Sequence, residues 1–111
     1  YRQVREMYTI RITAVRKTEY DDLIGLYENP IENACSVKEG DVFLSESGTK
    51  PEAMCESAWE SVKPFVLILA NGGGYFYDGW MKNPYSALIS CNDGFRPVSF
   101  LLEAIRNCNE N

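Results

Sequence analysis

The chain reads as a small α+β domain: a four-stranded antiparallel or mixed sheet in the element order β-α-β-α-β-β, with helices packed on one face. Three observations predict this. Residues 8–16, YTIRITAVR, alternate between Tyr8, Ile10, Ile12 and Ala14 on one side and Thr9, Arg11 and Thr13 on the other, the period of a strand with one buried face. Met54, Ala58, Val62 and Phe65 recur at spacings of three and four, the stripe of a helix that packs on an apolar surface. YSALISC (85–91) and FRPVSFLL (95–102) flank Asn92-Asp93-Gly94, residues that tolerate the positive φ of a tight hairpin turn.

The other elements follow in chain order. Thr18 offers an N-cap oxygen, and acids crowd the turn after it. Residues 19–28 are therefore expected to form a short amphipathic helix with Leu23, Leu26 and Tyr27 on its apolar side, stopped by Asn29-Pro30. Residues 30–37 make a loop that carries Cys35, and Glu39-Gly40-Asp41 turns the chain into a short strand at Val42, Phe43 and Leu44. Thr49-Lys50-Pro51-Glu52 reads as the entry to the second helix, because proline is tolerated at the first helical position. Pro64 breaks or bends that helix, leaving PFVLILA as a second short piece or a continuation past the bend, and Gly72-Gly73-Gly74 ends it. Residues 75–84 form a loop rich in aromatics. Pro97 cannot donate to a ladder, which places the last strand at a sheet edge or the proline at a bulge. Residues 1–111 thus form one domain, with 1–7 expected as an N-terminal extension and 104–111 as a fraying tail.

Composition narrows the chemistry. A chain of 111 residues has the size of one core. At 45% apolar and 13% aromatic it is too hydrophobic for disorder, and 24% charged residues without a long apolar run disfavour a membrane span. A net charge of -5 with scattered bases argues against a nucleic-acid partner, since a phosphate backbone calls for a basic face. The absence of histidine removes every triad with an imidazole base and every His-ligated metal site. Cys35, Cys55, Cys91 and Cys108 include no CxxC pair, and the chain has no N-x-S/T sequon and no secretory apolar stretch; the expectation is a cytoplasmic protein with reduced thiols and no cofactor.

Several segments carry a resemblance. TIRITAVRK, the Cys35 loop with EGDVF, MCESAW, the triple glycine and CNDGFRPVSF together span most of residues 8–103. In this pattern, Cys…EGD-x-F…C-x-x-A-W…Gly-rich turn…C-x-DG-x-RPV-x-F, the chain resembles a family of small, uncharacterised single-domain proteins of bacteria and archaea, with some fungal members. The resemblance implies that Cys35, Cys55, Cys91, Asp93, Gly94, Arg96 and Pro97 are recurring positions and that Cys108 is not. It implies no particular chemistry.

The residues define three candidate sites. Arg96 is either a ligand anchor for a carboxylate or an ion-pair partner of Asp93. Cys35, Cys55 and Cys91 are individually good core residues; if they converge, Cys55 or Cys91 becomes a candidate nucleophile with Asp93 as acid or base, and the three thiols a candidate metal set. The loop with Tyr75, Tyr77 and Trp80 is either a lid over a pocket walled by Trp59 and Trp80 or a cap on the open end of the sheet. The leading expectation is a pocket for a small anionic or aromatic molecule, formed by the Cys55/Trp59 helix, the aromatic loop and the Cys91–Arg96 hairpin. The alternative is a non-enzymatic module, a homodimer pairing through the strand around Pro97, with structural cysteines.

Overall fold

A computed structural model describes residues 7–31 and 35–105. Its elements are β1 (Thr9–Lys17), α1 (Asp21–Tyr27), β2 (Val42–Ser45), α2 (Glu56–Ala70), a 3-10 turn (Phe76–Asp78), β3 (Ser86–Ser90) and β4 (Val98–Ile105). The strands form one sheet in the spatial order β2-β1-β4-β3, and every neighbouring pair is antiparallel. The α+β class and the element order are those predicted.

Register decides what the sheet buries. Ile12 stands opposite Phe43 and Leu102, Ala14 opposite Phe100, and Ala87 opposite Leu102. Alternation turns these side chains to one face, where they meet Ala58, Trp59, Val62, Val66 and Leu69 of α2 in a single core. Burial of Trp59, Val62, Val66 and Leu69 contributes on the order of 6–12 kcal/mol before ordering entropy is subtracted. That continuous stripe explains why α2 runs unbroken through Pro64: packing on both sides of the proline outweighs the one backbone hydrogen bond it removes. The outer face is open, with Val42, Leu44 and Leu88 exposed and Arg11 paired across the strands with Glu103 at 3.1 Å.

Several boundaries differ from expectation. Residues 51–54 form a turn, closed by the Met54 N–H donating to the Pro51 carbonyl at 3.1 Å, and the helix starts a turn later with Cys55 as its N-cap. Thr18 does not cap α1, whose N-cap is Tyr20; the Thr18 N–H donates instead to the Pro97 carbonyl at 3.0 Å, extending the β1–β4 partnership. Pro97 does not mark an edge. It lies just before β4, which sits between β1 and β3, so the edges are β2 and β3 and no homodimer can pair along β4. The Asn92-Asp93-Gly94 turn is part of a wider connection, 91–97, and β4 continues through Ala104 and Ile105, residues expected in the tail. The rest of that tail, with Cys108, lies outside the described residues, as do residues 1–6 of the expected extension; Met7 packs partly buried against the core.

Helix α1 buries no residue. It is attached by backbone bonds on its N-terminal side, where the Tyr20 N–H donates to the Phe95 carbonyl at 2.9 Å, and by an arginine clamp described below.

Candidate functional site

Where β3 ends, β4 begins and α2 starts, the chain encloses a cavity of about 60 Å³. Its walls include Cys35, Cys55, Cys91, Asp93, Arg96 and Phe100. Thus Cys35, Cys55 and the Cys91–Arg96 segment, three parts of the chain far apart in sequence, line one small space. A buried water occupies roughly 10–15 Å³ on this measure, so the cavity holds about four waters or a ligand of a few heavy atoms.

Each thiol is placed by a different element. Cys55 is exposed, at the N-cap of α2, and its Sγ lies 3.7 Å from the Ser57 hydroxyl. It makes no side-chain cap, so the first-turn N–H groups of Glu56, Ser57 and Ala58 have no intrahelical acceptors, and Ser57 and Ala58 line the cavity. Cys91 follows β3; its N–H donates to the Val98 carbonyl at 2.9 Å and its Sγ accepts the Val98 N–H at 3.3 Å, which fixes the sulfur in the ladder. Cys35 sits in the loop after α1. That loop is pinned by Lys17, whose Nζ donates to the carbonyls of Cys35 and Val37, both at 3.0 Å. Cys35, Cys55 and Cys91 are all free thiols.

Asp93 does not pair with Arg96 through its side chain. Its Oδ1 accepts the N–H groups of Phe95 (2.8 Å) and Arg96 (3.3 Å), an Asx turn that shapes the connection. The Arg96 guanidinium instead reaches Glu28, with Nη1 donating to Oε1 at 2.8 Å, and its Nε lies 3.8 Å from Glu19. Arg96 and Glu28 are 15% and 14% exposed, a largely buried pair that ties both ends of α1 to the rim of the cavity. The hydrogen bond that Arg96 donates to Glu28 raises the Arg96 pKa above the ordinary arginine value; burial opposes it, and the charges of Glu28, Glu19 and Asp93 add to it. The guanidinium is therefore a clamp that stays charged, with one donor bonded to Glu28 and a longer ion pair to Glu19.

The aromatic residues lie elsewhere. Trp59, only 6% exposed, is part of the core beneath the sheet. The 72–80 loop contributes nothing to the cavity walls. It follows the C-terminal end of α2, a 15-residue helix about 22 Å long, and its Phe76 packs on Phe65 at 5.1 Å. Trp80, Tyr75 and Tyr77 point to water, at 43%, 63% and 72% exposure. The expected single pocket beneath an aromatic lid is thus two separate features. Nor do the thiols form a chelate: no group of three Cys, Asp or Glu side chains among the described residues stands close enough to hold a metal ion.

Sequence reasoning missed Lys17, Glu28 and Ser57. Ser57 was masked by the displaced helix start, while Lys17 and Glu28 carry no local signal because their partners lie 18 and 68 positions away. Compared with known protein families, curated proteins and solved structures, the chain matches none. No helix among the described residues is long and apolar enough to cross a membrane.

Proposed function

We propose that this chain binds a small, uncharged electrophile in the three-cysteine cavity, with Cys55 as the attacking thiol. The observation that carries the reading is the convergence of Cys35, Cys55 and Cys91 on one space of a few heavy atoms. The same three cysteines carry the family resemblance. Cys55 is the exposed member, whereas the Cys91 sulfur is already an acceptor in the ladder. An anionic ligand is disfavoured, because Glu19, Glu28 and Asp93 outnumber Arg96 at the rim and Arg96 is spent on two of them.

A small aldehyde suits this site. The Cys55 sulfur forms a bond to the carbonyl carbon, the C=O π pair moves to oxygen, and the proton lost from the thiol ends on that oxygen, giving a hemithioacetal without oxidant or reductant. The first-turn N–H groups of α2, two of them on the cavity-lining Ser57 and Ala58, are the proposed donors to the charge that passes through the oxygen, and Asp93 is the proposed proton relay.

The test is thiol mapping of the native protein with iodoacetamide and iodoacetate. Among Cys35, Cys55 and Cys91, Cys55 is expected to be labelled first, several-fold faster by the neutral reagent than by the anionic one, and millimolar small aldehyde should slow it. Equal labelling of these three thiols, or a faster reaction with iodoacetate, contradicts the proposal. Cys55→Ser should remove the aldehyde adduct, a mass gain of one aldehyde with no loss, seen by native mass spectrometry in excess aldehyde, and Cys91→Ser should leave it.

A further inference from the structure

The outer face of the sheet is open, yet it is not polar. Helix α2 lies on the inner side, against Ile10, Ile12, Ala87, Phe100 and Leu102, and alternation turns the intervening strand residues the other way. Register then sorts those residues into rows. Val42 stands opposite Thr13, Thr13 opposite Leu101, and Leu101 opposite Leu88, so one row crosses all four strands and three of its four side chains are apolar. The row beside it runs Leu44, Arg11, Glu103, Ser86. Val42, Leu44 and Leu88 are 53%, 48% and 44% exposed. A sheet face that meets only water alternates to polar side chains. This one carries an apolar band from edge to edge, and contiguous apolar surface rimmed by polar groups belongs to interaction sites.

Charge selects the partner. The strand residues of this face hold Arg11, Arg16 and Glu103 and no other charge. On a chain that carries -5, it is therefore a face where two copies meet with little repulsion. Arg11 and Glu103 stand side by side on the two middle strands, joined at 3.1 Å. A two-fold axis that runs between β1 and β4, parallel to them, lays β1 of one copy over β4 of the other at the ~10 Å spacing of packed sheets. Arg11 of each copy then faces Glu103 of the other, giving four alternating charges, and Val42 of each lies over Leu88 of the other. A strongly acidic or strongly basic partner meets no such match. The strands' nine, four, five and eight residues span roughly 400 Å² in plan at ~3.3 Å per residue and ~4.8 Å between strands. Side chains roughen that surface, so two copies bury on the order of 1,000 Å², the lower end of specific interfaces and the range of a weak, reversible dimer.

We infer that the chain forms a two-fold dimer through the outer face of its sheet, with the Val42–Leu88 row as its apolar centre and the Arg11 and Glu103 charges matched between copies. The thiol cavity lies on the helix side of the sheet, so the dimer leaves it clear and does not depend on the chemistry proposed there.

Sedimentation velocity of the full chain, from about 1 μM to about 1 mM, is expected to pass from one chain mass to two, with a dissociation constant in the micromolar range. Val42→Lys and Leu88→Lys, both at exposed positions, should weaken the dimer about tenfold or more. Arg11→Glu and Glu103→Arg should each weaken it by a similar factor, because like charges then face each other. An equimolar mixture of those two variants should associate again as a heterodimer, read by native mass spectrometry. Circular dichroism checks that each variant is folded, and the two exposed apolar positions keep the test open if a charge swap unfolds. A chain that stays monomeric up to about 1 mM overturns the dimer. So does a dimer undisturbed by Val42→Lys and Leu88→Lys, a charge-swap mixture no more associated than its components, or open-ended association in place of a closed pair.

Discussion

Phe100 is the wall on which the cavity and the core depend together. It is fully buried, meets Phe43 edge-to-face at 6.4 Å, stands opposite Ala14 and Ile89 in the ladder, and lines the three-cysteine space. Phe100→Ala removes roughly 100 Å³ of side chain, and at about 24 cal/mol per Å³ an unrelaxed void of that size costs about 2.4 kcal/mol. Lost transfer energy of the ring adds about 1.5–2 kcal/mol, for a total near 4 kcal/mol. For a chain of this length that lowers the melting temperature by roughly 15 °C. Urea denaturation followed by circular dichroism, with the slope checked for constancy, measures the free energy directly. The void is also continuous with the existing cavity, so a thiol reagent too bulky for the native protein should gain access to Cys91 in the variant. Phe100→Leu refills most of the volume and should cost less than half as much. A loss below about 1.5 kcal/mol for Phe100→Ala, with no gain in Cys91 labelling, would refute the packing argument and the account of the cavity wall that rests on it.

Two other outcomes follow from single contacts. Lys17→Met removes both donors that pin the Cys35 loop, so alkylation of Cys35 should rise several-fold while Cys91 is unchanged; peptide mapping by mass spectrometry reads both at once. Tyr75 has its pKa raised above the ordinary tyrosine value, first by its hydrogen bond with Tyr85, then by the charge of Tyr85 and by burial. A raised folded value means that the stabilising effect is complete below the unfolded pKa near 10 and is lost as pH rises through the folded value. Absorbance titration at high pH should therefore show one late-ionising phenol that disappears in Tyr75→Phe.

The sheet was legible because strand alternation is a local period: Ile10, Ile12 and Ala14 declare a buried face without knowing what covers it. The α2 stripe was legible for the same reason. Its start was not, since the competing signal at Pro51 is genuine turn chemistry: the Pro51 carbonyl accepts the Met54 N–H in a turn just before the helix. Pro97 shows the limit of a local rule: a missing donor need not mean an edge when the residue stands one step before the strand and offers its carbonyl to Thr18. At the candidate site, the sequence singled out the three thiols, Asp93 and Arg96, yet could not say which aromatic residues shared their space. The partner of Arg96 was equally hidden. Nothing near it in sequence points to Glu28, because the pair exists only after β1 and β4 have brought α1 to the hairpin.

The clamp on α1 has a kinetic consequence. A helix with no fully buried residue is held by the half-buried Leu23 and Ile24, the Arg96–Glu28 pair and the bonds around Tyr20, so it can open without disturbing the sheet. Its amides should exchange with solvent at the free energy of that local opening, far ahead of those in β1 and β4. Arg96, which holds Glu28 at the end of α1, is also a wall of the cavity, so the same opening frees one of its walls. One arginine thus sets the lifetime of that wall, while Cys55, exposed at the N-cap of α2, meets solvent whether or not α1 is open.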